Sequence, residues 1–373
     1  MQIGALVAYV SKPSFFYPKE NRVSTLDIHR EMKVSASKSP YLERVLGMDV
    51  GVEERYFVAP LDVMATPGTL ENRNVIALPV IKRLGVRACL DAMERAGLRP
   101  ADIDCIIVSN STLHALPGLD VYFQNELNLR PDIKRMPFTQ LGCVGGAHTL
   151  DWASTLADAY PGMRILVVIP EALSTVYQVE DLELDDLLWR LLFGDSAAAC
   201  IVSSPRTPNA PPPRNSCLQT HGSWQYLVRG SMGTYELKTR SDGDHFLSKR
   251  GAQKAVRELE KPLWNWLRTA GPDWRPETVI AHTGGPAVLR NLAKVLGFPE
   301  EPDHPLNPLA QAWETLRRFG NLGGVSVLRT LLETAELSPR PGSETLLFAI
   351  GPGVTSAAVR GIMLDPNDFA AVA

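Results

Sequence analysis

No stretch of the 373 residues approaches the ~20 consecutive apolar side chains that cross a bilayer. The opening MQIGALVAYV has no basic region before it and no small-residue cleavage site after it, so it reads as a first strand and points to a cytoplasmic protein. Cysteine is scarce. The five residues Cys89, Cys105, Cys143, Cys200 and Cys217 are an odd number without CxxC pairs, which argues against a disulfide framework and against a zinc site. An excess of one charge is missing too: 38 Lys and Arg against 41 Asp and Glu give a net charge of -3 and leave no basic stripe. Nucleic acid and anionic membranes are therefore excluded as main partners, while an anionic small molecule stays open. What is present, 45% hydrophobic and 21% charged residues, describes a globular chain long enough for two domain-sized cores.

The densest proline run, SPRTPNAPPPRNSC over 204–217, divides the chain into halves 1–203 and 218–373. PEEPDHPLNP (299–308) and SPRPGS (338–343) are too short to be linkers and read as loops. The two halves repeat each other. LGCVGGAHTL (141–150) has a partner in FGNLGGVSVL (319–328), each with Gly, a polar or reactive residue, an aliphatic residue and Gly-Gly before a helical stretch. Before these turns come the strand-like runs 104–110 and 278–283. After them come helical stretches (147–160 and 325–336), then the apolar runs RILVVI and TLLFAI, then AAACIVS and SAAVRGIML. Continuous apolar runs alternating with helices are what strands buried on both faces look like. The expected fold is a duplicated, five-layered α/β architecture, with the helix of each glycine turn packed centrally between two sheets. Gly-Gly at those turns permits a close backbone approach.

Under this duplication Cys143 and Asn321 are pseudo-equivalent turn residues, and His282 ends a strand beside them. A thiol needs an imidazole to take its proton, and the start of a helix favours the thiolate. An asparagine N–H with a histidine N–H can hold the negative charge of an enolate on a thioester oxygen.

At these residues the chain resembles the type III polyketide synthases, the chalcone-synthase-like branch of the thiolase superfamily. The resemblance is carried by RPDIKRMPFTQLGCVGG (130–146), RILVVIPE (164–171), LLFGDSAAACIV (191–202), HTGGPAVL (282–289), GNLGGVSV (320–327) and IGPG (350–353). It implies a thiolase-like αβαβα fold and a homodimer acting on an acyl-CoA starter and malonyl-CoA, with CoA thioesters as substrates and no further cofactor. Cys143 would carry the starter, and His282 and Asn321 would promote decarboxylation of malonyl-CoA. The resulting enolate would extend the chain, which the same pocket cyclises. Phe193 resembles the aromatic gatekeeper between CoA tunnel and cavity, and Phe246 is the choice for a second one. Leu116, in SNSTLHALPG, would wall the partner subunit's cavity.

The departures bear on specificity. The usual Gly-Phe-Gly-Pro-Gly loop is Ala349-Ile350-Gly351-Pro352-Gly353, and Gly323 stands where Ser is common, which should open space. Leu237 stands where a small residue is common and should narrow another wall. Lys38, Arg44 and Arg55 are available for the CoA phosphates without an assignment. The competing reading is a β-ketoacyl-ACP synthase of the initiating, single-condensation type, which shares the Cys-His-Asn trio. Pro352 and the chain length favour the polyketide branch.

Overall fold

The apolar runs become strands because a pleated segment shielded on both faces has no use for polar side chains. In the computed structural model, which describes residues 7–207, 210–249, 255–337 and 340–365, the strands are β1 (Tyr9–Ser11), β2 (Ser14–Phe16), β3 (Arg22–Ser24), β4 (Glu54–Tyr56), β5 (Cys105–Asn110), β6 (Lys134–Thr139) and β7 (Arg164–Ala172). They continue with β8 (Asp195–Ser203), β9 (Ser216–Leu227), β10 (Tyr235–Arg240), β11 (Gly243–Ser248), β12 (Thr278–Ala281), β13 (Glu344–Gly351) and β14 (Thr355–Met363). Residues 1–6 of the expected first strand and Ser338 and Pro339 of the SPRPGS loop lie outside the described residues.

Strand pairing repeats between the halves. β5 runs parallel to β7, which pairs antiparallel with β8; β12 runs parallel to β13, which pairs antiparallel with β14. The halves are joined by hydrogen bonds through β1 and β9, giving the order β12-β13-β14-β9-β1-β8-β7-β5-β6 with β2 attached to β8. The proline-rich segment leaves β8 at Ser203 and enters β9 at Ser216. β3 pairs with β4 and β10 with β11 as separate ribbons.

Helices Gly145–Ala159 and Ser326–Glu336 form the middle layer. Val144, Ala147 and Leu150 share a core with Val325, Leu328 and Leu331, and strand residues of both halves, Val167 and Leu347 among them, close over it. The outer faces are covered by Leu70–Arg95, packed on Ile106, Val108 and Leu166, and by Pro286–Leu296 and Ala310–Phe319, packed on Val279, Ala281 and Phe348. These are the five expected layers. The double glycines let the pseudo-equivalent turns touch: a Cβ on Gly146 would lie 2.1 Å from the carbonyl oxygen of Gly324.

Candidate active site

Each turn that carries a reactive residue begins with a glycine in the left-handed region, Gly142 at φ +60 before Cys143 and Gly320 at φ +73 before Asn321. Gly142 N–H donates to the Ser111 hydroxyl (2.7 Å), tying the cysteine turn to the segment after β5. Asn321 is held by backbone bonds to the residues on either side of Phe193: its N–H donates to Leu192 O (2.7 Å) and its carbonyl accepts from Gly194 N–H (3.0 Å). Its side-chain Oδ1 accepts from Gly323 N–H (2.9 Å), which leaves the amide N–H groups for the Cys143 sulfur, the partner they meet. His282 follows β12, its N–H donating to Phe348 O (3.0 Å). Its Nδ1 is buried without a partner, and a Cβ on Gly284 would come within 2.9 Å of its Nε2.

Burial sets the charge states. It pushes the Cys143 thiol up to about 12, with help from nearby Glu171 and against the hydrogen bond from Asn321. It pulls His282 down to about 4. Burial thus works against the thiolate that the helix start favours and against an imidazolium beside it.

Cys143, His282 and Asn321 line one narrow pocket with Trp189, Tyr235, Phe246, Ile350 and Pro352. Cys143, Phe246 and Pro352 also line a second, much larger cavity of about 750 Å³, together with Phe193, Leu116, Leu237 and Gly323. Every site residue expected from sequence thus borders one space or the other, although Leu116, expected at the partner subunit's cavity, lines that of its own chain. An aromatic partition separates them. Trp189 stacks on Phe193 (5.4 Å between centroids, 11°), and Phe246 meets both edge-on, at 4.8 and 5.5 Å.

The sequence reading missed Glu171, Trp189 and Tyr235. Glu171 is 1% exposed and faces the large cavity. Its Oε2 accepts from Thr112 Oγ1 (2.8 Å) and Ser111 N–H (3.2 Å), while Oε1 has no partner. Burial pushes its carboxyl up to about 7. A carboxylate closing the apolar run RILVVIPE was the available signal.

Residues 58–206 match the N-terminal domain of the chalcone and stilbene synthases. A 1,3,6,8-tetrahydroxynaphthalene synthase of Streptomyces peucetius subsp. caesius is 31% identical over 324 residues, 84% of this chain and 81% of that protein. Germicidin synthase from Streptomyces coelicolor, a type III polyketide synthase, has a similar structure, with a TM-score of 0.88 and 33% identity over 96% of this chain and 100% of its own. The 1,3,6,8-tetrahydroxynaphthalene synthase of Streptomyces coelicolor A3(2) gives 0.87 at 25% identity, over 95% and 99%. The chain belongs to the type III polyketide synthases.

In this synthase the departures noted in the sequence take definite places. Ile350 lines the narrow pocket, but Ala349 is fully buried in the central core and opens no space. Gly323 borders the cavity at φ +57, where a Cβ would stand 3.3 Å from Leu173. A side chain there strains the turn as well as filling space. Leu237 is 36% exposed on the cavity wall. Arg55 is not available to a phosphate, since it is fully buried, with its guanidinium bonded to Leu191 O and Thr25 Oγ1. Burial lowers its pKa to about 9. Lys38 and Arg44 remain exposed. No helix of the described residues is long and apolar enough to cross a membrane.

Proposed function

We propose that this synthase loads an acyl chain from its CoA thioester onto Cys143 and extends it with units from malonyl-CoA decarboxylated at His282 and Asn321. The observation that carries the reading is the position of Cys143: it opens on the pocket holding His282 and Asn321 and on the large cavity at once. The sulfur can meet a donor in one space and hold a growing chain in the other.

In loading, neutral His282 takes the thiol proton as sulfur attacks the thioester carbonyl, and the proton leaves with the CoA sulfur. In extension, the bond between the malonyl α-carbon and its carboxylate breaks and CO₂ departs. The electron pair moves into an enolate whose oxygen accepts from the His282 and Asn321 N–H groups. The enolate carbon attacks the acyl carbonyl on Cys143 and expels its sulfur. The imidazole nitrogen that faces Cys143 accepts in loading as one neutral tautomer and donates to the enolate as the other, and Nδ1, which no partner holds in one state, permits the exchange. Phe193 and Phe246 act as the gate between pocket and cavity, and Pro352 borders both spaces. The cavity wall sets the aliphatic side chains of Leu113, Leu173, Val176 and Leu237 among polar residues such as Thr112, Gln140 and Thr239, and the aliphatic part favours an aliphatic acyl starter over a bulky aromatic one. The working form is a homodimer in which Leu116, on the exposed rim of its own chain's cavity, also reaches the partner's.

Single-turnover assays with octanoyl-CoA, a phenylpropanoyl-CoA and malonyl-CoA test this. Asn321→Ala should keep acyl-enzyme formation and lose malonyl decarboxylation by about 10²-fold, His282→Ala should lose both, and octanoyl-CoA should load faster. Equal loss of loading and decarboxylation in Asn321→Ala would refute the division of roles.

A further inference from the structure

Each turn of the proposed reaction passes through two oxyanions, and they form at different atoms. The enolate oxygen belongs to the malonyl-derived unit and is met by His282 and Asn321. The other belongs to the acyl group on Cys143, whose carbonyl becomes tetrahedral once in loading and once in every condensation. Nothing so far assigns a donor to it, although the same structure supplies one.

Tyr235 opens β10 and lines the narrow pocket with Cys143, His282 and Asn321. Its ring is fixed from two sides, by Trp189 (6.5 Å, 66°) and by Phe246 (6.3 Å, 32°). The backbone is fixed as well: Tyr235 pairs with Ser248 across the β10–β11 hairpin. The residues just before it are bound to the turn after β13, with Val228 N–H donating to Val354 O (3.0 Å) and Ser231 Oγ to Gly353 O (2.6 Å). The phenol is thus rigid, yet its hydroxyl has no hydrogen-bond partner among the described residues. It lies within electrostatic reach of the Cys143 thiol, and burial holds its pKa far above the ordinary range, so it stays a neutral donor. Tyr235 is only half-buried and its hydroxyl is not sealed from water, so a substrate acceptor can take the place of a water there.

We propose that the Tyr235 hydroxyl donates to the carbonyl oxygen of the acyl group at Cys143 and follows it into the tetrahedral oxyanion, in loading and in condensation. The inference rests on Cys143 being the acyl carrier. As the carbon–sulfur or carbon–carbon bond forms, the carbonyl π pair moves onto oxygen and the Tyr235 O–H···O bond shortens. The phenol keeps its proton throughout. Collapse returns the pair to the carbonyl and expels the CoA sulfur in loading or the Cys143 sulfur in condensation. Trp189 does not serve this role: its indole N–H is sealed inside the stack with Phe193 and Phe246.

Tyr235→Phe removes the donor and keeps the ring. Acylation of Cys143 from octanoyl-CoA, followed by intact-protein mass spectrometry, should slow by about 10²-fold. Release of CO₂ from malonyl-CoA alone should persist, the reverse of the pattern expected for Asn321→Ala. Retained CO₂ release also reports that the variant is folded. A fluorinated tyrosine at position 235, which keeps an O–H donor, should restore acylation. Wild-type acylation by Tyr235→Phe, or equal loss of acylation and CO₂ release with no rescue by fluorotyrosine, would overturn the assignment. Failure of the wild type to acylate Cys143 with any acyl-CoA would overturn the proposed function instead.

Discussion

With its thiol raised to about 12 and His282 lowered to about 4, Cys143 rests uncharged near pH 7. Its labelling by iodoacetamide should therefore keep rising with pH through about 9, by roughly tenfold per unit, because the thiolate fraction grows until the pKa is reached. A plateau near neutral pH would show an ionised pair. Cys143 should still be the fastest of the five cysteines, since it is partly exposed and the other four are buried. Equal labelling of Cys89 or Cys217 would contradict this. Glu171 gives a second titration. Folded, it keeps its proton to about pH 7; its ordinary value is 4.5. Between those values the folded state binds more protons, so this residue's stabilising contribution is full below 4.5, falls as pH rises through 7 and is flat above. Glu171→Gln has no such slope, and its stability relative to wild type should grow from about pH 5 to about pH 8, by on the order of 3 kcal/mol. Denaturant titrations of both proteins at those two pH values check it, and an unchanged difference would place the Glu171 titration elsewhere.

The two glycine turns are the elements on which the site depends, and they meet backbone to backbone. In Gly146→Ala the new Cβ would stand 2.1 Å from Gly324 O and 2.4 Å from Val327 Cγ2. Since a main-chain carbonyl packed in the middle layer cannot swing aside, the variant should lose about 3 kcal/mol or more. A melting temperature equal to wild type would mean that the turns are more loosely packed. These turns were legible in sequence because a duplicated motif shows its own alignment: Cys143 and Asn321 occupy matched positions, and His282 ends the strand preceding one of them. The all-apolar strands were legible for a related reason, since burial on both faces removes polar residues from β7, β8 and β13. The hairpin β10–β11 left no such pattern. The residues of β10 are partly or fully exposed and mostly polar, as in Tyr235-Glu236-Leu237-Lys238, so Tyr235 could not be placed in the pocket by periodicity. Trp189 and Glu171 escaped similarly, because an aromatic on an amphipathic helix and a carboxyl at a strand end acquire their roles from what lies across the cavity. The Gly323 side of the cavity was read from volume alone, whereas its φ of +57 makes it a backbone requirement too.

At the scale of the molecule, the cavity wall leads to a surface that one chain leaves open. Leu116 borders the cavity that contains Cys143, yet it is 99% exposed, and the residues around it belong to the segment from Asn110 to Leu116 that forms one side of that space. Elsewhere Met232 is 82% and Leu227 55% exposed. An apolar side chain at the rim of a reaction cavity costs little in isolation, but a second copy laid over it would bury it and shield the cavity from water. Burying a leucine contributes about 2 kcal/mol, and twofold symmetry counts it twice, so Leu116→Glu should weaken a dimer by roughly 10²-fold or more. Light scattering over a dilution series should show the wild type as a dimer and the variant shifted toward monomer. Because the side chain also walls the cavity, the variant should release shorter or uncyclised chains even at concentrations where it still dimerises, while malonyl-CoA decarboxylation in the narrow pocket continues. A wild type that is monomeric and fully active would remove the dimer from this account. A dimeric Leu116→Glu enzyme with an unchanged product profile would remove Leu116 from the cavity wall.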